Sequence, residues 1–176
     1  MSKYLLEIGT EELPYKFIPQ AVDQLKAGFE SFLKNNKVDF AGIEVLATPR
    51  RLAVIVDGLS EKQSDEEKVV KGPIKNVAYD EQGNLTKAGL GFGNKCGVQE
   101  DNLFLQDNYL HAKIFSKGKL VSELLQENVP QIVLKLQGPH FMSWAGFDEK
   151  FSRPIRWIVS IIDDKEVPIK IIDVKS

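Results

Sequence analysis

The chain has 176 residues, of which 43% are hydrophobic and 27% charged, and its formal net charge is -2. A chain of this length buries most of the surface that it exposes when unfolded, and no apolar run reaches the 18 residues that a membrane span requires. One cysteine and two histidines exclude an internal disulfide and a cysteine-rich zinc site. Glu7 comes too early for the apolar core of a secretory signal, which predicts a cytosolic protein.

The first third of the chain predicts a strand, a long helix and a hairpin. Tyr4–Ile8 is a short apolar strand, and helical spacing of apolar residues predicts a helix over Tyr15–Asn35. Ile43–Ala47 and Arg51–Val56 form the hairpin, with Thr48-Pro49-Arg50 as its connection. The apolar run after Arg51 predicts a strand that is covered on both faces.

The middle of the chain is more polar. The charged stretch Glu61–Lys68 is typical of a solvated loop. Thr86 is a candidate cap for a helix that extends through Lys95, and the paired strands Leu103–Gln106 and Tyr109–Phe115 follow.

A second helical pattern covers Lys119–Leu136, where Pro130 predicts a kink or a restart and Asn128 a cap for the second half. The last predicted strands are Trp157–Ile162 and Val167–Val174. The fold class is therefore α+β, with mixed or antiparallel sheets covered by two long helices.

Two strands are entered in the same way, through a proline and two arginines. The arginines are Arg50, Arg51, Arg153 and Arg156. Two such strands in one sheet place four guanidiniums at its entrance, where each is able to grip a carboxylate or a phosphate with two hydrogen bonds. The residues favour internal salt bridges to Glu7, Glu11 or Glu12, with RNA phosphates as the alternative.

Other candidate sites are weaker. The glycine-rich stretch Gly89–Lys95 fits neither the dinucleotide fingerprint nor the Walker loop. Cys96, His111 and His140 lack the spacing of a nucleophile and its base, so no catalytic residue is assigned. Four aromatic residues near the C-terminus are able to stack on bases but more often fill cores: Phe141, Trp144, Phe147 and Trp157.

Four motifs in fixed order resemble the β subunit of bacterial glycine-tRNA ligase. They are Leu5–Pro14, Thr48–Ala53, Lys71-Gly72-Pro73 and Phe151–Trp157. The resemblance covers nearly the whole chain and implies the N-terminal region, residues 1–176, of a much longer subunit. Two lobes are expected, about 1–60 with 140–176, and 69–138. Near Met142-Ser143-Trp144 the family usually has Met-Arg-Trp, so part of the basic character of that loop is missing here.

The resemblance implies a heterotetramer of two α and two β subunits that charges tRNA with glycine. Its expected partners are the α subunit, the remainder of the β subunit and tRNA specific for glycine. ATP and Mg²⁺ are expected in the α subunit, with no cofactor, metal or catalytic residue in this segment. The candidate contacts with tRNA or a partner are Arg50, Arg51, Arg153, Arg156 and Trp144. Two rivals remain: a stand-alone protein-interaction module, and a small phosphate-handling enzyme that uses the four arginines.

Overall fold

The computed structural model describes residues 1–80, 82–139, 141–144, 146 and 148–176. The chain divides into two compact units. The first unit contains Met1–Ser64 and Lys119–Ser176, and the second contains Asp65–Gly118. Residues 119–138, which the sequence assigned to the second lobe, thus lie in the first unit.

The helices and strands follow the predicted order. The helices are α1 (Phe17–Asn35), α2 (Lys75–Ala78), α3 (Lys87–Cys96) and α4 (Val121–Leu134), with a 3-10 turn at Glu100–Asn102. The strands are β1 (Ser2–Thr10), β2 (Gly42–Thr48), β3 (Arg51–Leu59), β4 (Glu66–Ile74), β5 (Leu103–Gln106), β6 (Tyr109–Ser116), β7 (Ile155–Ile162), β8 (Lys165–Glu166), β9 (Lys170–Ile171) and β10 (Val174–Lys175).

The first unit is built on a five-stranded sheet in the order β2-β3-β1-β7-β8. Every pair of neighbours is antiparallel. Because β1 runs antiparallel to both β3 and β7, those two strands point in the same direction. Both begin at the end of the sheet where β1 finishes. The prediction that the two strands led by arginines share one sheet is confirmed.

One face of this sheet forms the hydrophobic core. Tyr4, Leu6 and Ile8 of β1 are fully buried, and the alternate residues of β3 and β7 join them. Helix α1 packs here because its buried residues recur at helical spacing along one side: Phe17, Ala21, Leu25, Phe29, Phe32 and Leu33. Helix α4 adds Val121, Leu124, Leu125, Val129 and Val133 to the same core.

The opposite face is only partly covered. Its central apolar side chains are Leu5, Ala53, Ile55, Val159 and Ile161, and all are of intermediate exposure. Glu7 lies among them, in register with Ala53 and Val159. Leu46 is 49% exposed and Trp157 38% exposed. We call these eight residues the outer sheet face. Within the described residues, the prediction that both faces are buried is wrong.

The antiparallel α+β architecture is confirmed, but the prediction of two long helices is not. Helix α1 has 19 residues and α4 has 14, while α2 and α3 are shorter. Helix α4 continues through Pro130 without a restart, and Asn128 lies inside it, where its side-chain amide donates to the Leu124 carbonyl. In place of a continuous strand over 167–174, the chain forms the short pair β9 and β10.

The second unit contains a three-stranded antiparallel sheet in the order β4-β6-β5, and α2 and α3 pack against it. Strand β4 begins at Glu66, within the stretch predicted as a loop. Its charged residues are compatible with a strand because they lie on an exposed sheet edge, where Glu67 and Lys68 pair in register with β6. The predicted cap of α3 is confirmed, since the Thr86 hydroxyl accepts a hydrogen bond from the Gly89 amide at 3.3 Å.

A hydrogen bond between Tyr4 and Ser160 joins β1 to β7 inside the core. The two hydroxyl oxygens are 3.0 Å apart, and both residues are buried. Replacing Tyr4 by phenylalanine leaves the buried Ser160 hydroxyl unpaired, so Tyr4→Phe should lower the free energy of unfolding by about 1–3 kcal/mol. Urea unfolding measures this. The double variant Tyr4→Phe with Ser160→Ala should be less destabilised than the sum of the effects of the two single variants. Tyr15→Phe, at a 77% exposed position, is the control.

Burial raises the pKa of the Tyr4 phenol far above its ordinary value of 10.0, and the Ser160 hydrogen bond offsets this only in part. The folded protein therefore keeps the phenolic proton at a pH where the unfolded chain releases it. Above pH 10.0, this group should reduce the stability of the native chain as the pH rises. The native chain should therefore lose its stability advantage over Tyr4→Phe as the pH is raised from neutral to 10.0 and above. Urea unfolding at each pH measures this advantage. An unchanged advantage would contradict the burial of the phenol.

Candidate functional site

Three of the four sequence motifs meet where β1 ends and β3 and β7 begin. We call this region the arginine end of the sheet; it comprises residues 9–13, 49–51 and 152–157. Backbone amides of the first segment donate to carbonyls of the other two: Thr10 to Arg50 at 2.9 Å, Leu13 to Pro49 at 2.7 Å, and Glu11 to Pro154 at 3.1 Å. The chain after β1 is thus tied to both proline turns.

A tryptophan crosses β1 at a glycine. Arg51, Gly9 and Trp157 occupy one row across β3, β1 and β7. A Cβ atom at Gly9 would overlap the Trp157 indole ring, so the absence of a side chain is what lets the ring lie there. The indole Nε1 donates to Glu7 Oε1 at 2.9 Å. The ring therefore packs on glycine while its polar atom has a partner.

Two of the four arginines form internal ion pairs. Arg51 Nη1 lies 3.4 Å from Glu7 Oε2, and Arg156 Nε lies 2.6 Å from Glu11 Oε1. The Arg51 guanidinium is also 5.9 Å from the centroid of the Trp157 ring. Glu7 thereby forms an ion pair with Arg51 of β3 on one side and accepts a hydrogen bond from Trp157 of β7 on the other. The internal salt bridges that the sequence favoured are present for these two arginines, whose side chains stay 52% and 62% exposed.

The other predicted contacts are placed differently. Arg50 is exposed, and its carbonyl receives the Thr10 amide. Arg153 Nη1 donates to the Ser152 carbonyl at 2.7 Å. Trp144 packs against the hydrophobic core and is partly buried. Contact of Arg50, Arg51, Arg153, Arg156 or Trp144 with tRNA or a partner protein stays a prediction.

The remaining aromatic candidates serve packing. The Phe141 ring lies 5.5 Å from the Phe17 ring and 6.0 Å from the Phe151 ring, in tilted and edge contacts. Phe147 and His140 lie outside the described residues. These contacts support the interpretation that aromatic residues of this region fill the core.

Two buried hydroxyls at the arginine end have no hydrogen-bond partner among the described residues. They belong to Thr10, which is 2% exposed, and Ser152, which is fully buried. No group of three or more histidine, cysteine, aspartate or glutamate side chains that could hold a metal ion is found in the described part of the chain. The backbone hydrogen bonds and ion pairs of the arginine end hold three strands in register.

Sequence reasoning missed the role of Gly9 and Trp157, although both stand inside the quoted motifs. It also missed a group of aromatic and lysine side chains on one face of the second unit. The available signal was the alternation along Tyr109–Phe115, which places every second residue on one side of the strand.

Comparison with known proteins identifies the class to which this fold and these motifs belong. The family model described as glycyl-tRNA synthetase beta subunit matches residues 4–176. The chain belongs to this family.

Individual relatives carry the corresponding name. The chain is 42% identical over 177 residues to the glycine-tRNA ligase beta subunit of Lactiplantibacillus plantarum, with 98% of the chain and 26% of the relative covered. It is 40% identical over 170 residues to that of Clostridioides difficile, with 94% and 25% covered. For Halalkalibacterium halodurans the identity is 42% over 182 residues, with 100% and 26% covered. The chain spans about a quarter of the length of these relatives.

The packing of Trp157 on Gly9 gives a sharp test of the arginine end. Gly9→Ala introduces a methyl group into the space of the indole, so it should lower the free energy of unfolding by about 1–3 kcal/mol in urea denaturation. Gly42→Ala, on β2 of the same sheet, is the matched control because nothing lies within 4 Å of its added Cβ. Equal stability of the two variants would show that the indole moves aside at no cost.

Proposed function

We propose that this chain acts as the N-terminal region of the β subunit of glycine-tRNA ligase. In this role it supports assembly with the α subunit and positions tRNA for ATP-dependent charging with glycine. The observation that carries the proposal is the family match over residues 4–176, together with about 40% identity to several named β subunits. The proposal gives this segment no catalytic residue; ATP and Mg²⁺ bind in the α subunit, and the complex works in the cytoplasm.

The outer sheet face supports a role in assembly. Its five central residues are aliphatic, lie on three adjacent strands and are of intermediate exposure. Glu7 lies among them, but its carboxylate is paired with Arg51 and Trp157. Exposed apolar surface of this kind marks protein contacts more often than free surface. In the proposed complex the α subunit covers this face.

In the part of the chain that the structure describes, no helix combines the length and the apolar composition that a membrane span requires.

The arginine end supports a role beside that face. Glu7 holds Arg51 and Trp157 at the edge of the aliphatic patch, and Arg50 and Arg153 add two cationic side chains at the same end. A planar guanidinium binds carboxylates of a protein or phosphates of tRNA with paired hydrogen bonds. The proposal assigns Arg50 and Arg153 to partner contacts, and Arg51 and Arg156 chiefly to the register of the sheet.

Sedimentation velocity of the purified chain with the glycine-tRNA ligase α subunit, with and without glycine-specific tRNA, tests the proposal. The chain should co-sediment with α, and tRNA should increase the mass of the complex. Ile55→Glu places a charge at the centre of the outer sheet face and should weaken the association at least about tenfold, because an unpaired charge in an apolar contact is costly.

Val77→Glu is the matched control, since Val77 is 51% exposed on α2 in the second unit. Both variants must first show native circular dichroism and a cooperative unfolding transition. Failure of α to bind the native chain would remove the assembly role. Binding of α that Ile55→Glu leaves intact would move the contact away from this face.

A further inference from the structure

The three-stranded sheet of the second unit has one buried face and one open face. Leu110 and Ala112 of β6 are fully buried. The residues that alternate with them point to the other side, together with their register partners on β4 and β5. We call this the aromatic-lysine face after Lys71, Phe104, Tyr109, His111, Lys113 and Phe115, and the register partners Glu67, Val69 and Gln106 lie on it as well.

Helix α3 leaves this face open because it packs on the other one. Phe92 of α3 lies against Gly72 of β4, where an added Cβ would be 2.6 Å from the ring. Gly72 follows Lys71 in β4 and so faces the opposite way. The aromatic-lysine face is thus the side of the sheet away from α3.

Two of the rings on this face stack on each other, and a third contacts a lysine ammonium group. Phe104 and His111 are register partners, and their rings are stacked with centroids 5.6 Å apart and planes 23° apart. His111 Nδ1 lies 3.1 Å from the Tyr109 carbonyl oxygen, which fixes the orientation of the imidazole. Lys71 Nζ lies 3.5 Å from the centroid of the Tyr109 ring. Lys71 is also the register partner of His111, so it stands in one row with the stacked pair.

The rim of this face is exposed and carries a second cation. Phe115 is 59% exposed and Val69 is 48% exposed. Lys113 Nζ pairs with Glu67 Oε1 at 2.9 Å, in a salt bridge whose two side chains are about half exposed. Such a pair contributes little to stability, so the lysine is free to exchange its partner for a phosphate at low cost.

We infer that the aromatic-lysine face binds single-stranded RNA. The ring surfaces on this antiparallel sheet that are not already covered offer stacking surfaces to unpaired bases, and the lysines beside the rings are placed to meet the phosphates that link those bases. A protein partner of comparable apolar character would desolvate the Lys71 ammonium group without supplying a counter-charge, whereas a phosphodiester chain supplies the opposite charge. The choice of RNA rather than DNA rests on the proposed function. The inference places the tRNA contact of this segment on the aromatic-lysine face and assigns unpaired nucleotides of the tRNA to it.

Fluorescence anisotropy with a labelled single-stranded RNA of about ten nucleotides, and with a duplex of equal length, tests this inference on the 176-residue chain. The single strand should bind more tightly than the duplex. Phe104→Leu keeps an apolar side chain but removes the ring, and it should weaken binding of the single strand about fivefold or more. Tyr15→Leu, at an exposed position of the first unit, removes a ring elsewhere and should leave binding unchanged.

The salt dependence tests the lysine separately. Lys71→Gln should reduce the slope of the logarithm of affinity against the logarithm of salt concentration by about 0.7, which is the value for one phosphate contact on a single strand. Lys95→Gln removes the same charge from α3, away from the aromatic-lysine face, and is the matched control. Thermal unfolding confirms that each variant is folded before it is titrated.

Each other outcome overturns the inference. Equal affinity for duplex and single strand would show attraction by charge without stacking, and binding that Phe104→Leu and Lys71→Gln leave unchanged would place the RNA elsewhere. Loss of α-subunit association in these variants, without RNA binding, would make the face a protein contact. Sedimentation of the native chain with α tests the proposed function independently, so a failure here and a failure there are distinguishable.

Discussion

The antiparallel pairing of β1 with both of its neighbours is the constraint on which the first unit depends. A strand that is antiparallel to β3 and to β7 forces those two strands to start at one end of the sheet. Segments about a hundred residues apart in sequence therefore converge there, and the backbone amides of Thr10, Glu11 and Leu13 bridge their two proline turns. The convergence follows from topology, and the side chains then adapt to it.

Glutamates neutralise part of the positive charge that this topology concentrates. Glu7 forms an ion pair with Arg51 and accepts a hydrogen bond from the Trp157 indole, and Glu11 forms an ion pair with Arg156. These pairs are partly exposed, and each contributes at most about 1 kcal/mol to stability. These contacts join β1 and the chain after it to the two neighbouring strands, so they act on the geometry of the arginine end. Arg50 is exposed, and Arg153 donates to the Ser152 carbonyl.

The two units present open sheet faces of different chemistry. The outer sheet face of the first unit is mainly aliphatic, and the one charged side chain in its central strand, Glu7, is paired with Arg51 and Trp157. The aromatic-lysine face of the second unit interleaves rings with ammonium groups, a pattern that remains hydrated and favours an anionic chain. In the proposed complex, one segment thus has one face for a protein partner and, separately, another for a nucleic acid.

The sequence by itself determined the elements whose signal is local. Helical spacing located α1, Thr86 capped α3, and proline and arginine marked the starts of the strands that share a sheet. Tertiary structure alone decided which arginines pair with glutamates, because strand order sets distances between residues such as Glu11 and Arg156. It also decided that Gly9 receives an indole, that α4 runs through Pro130, and that the second face of the sheet stays partly open. Such contacts join residues far apart in the chain, where periodicity and propensity carry no information about separation in space.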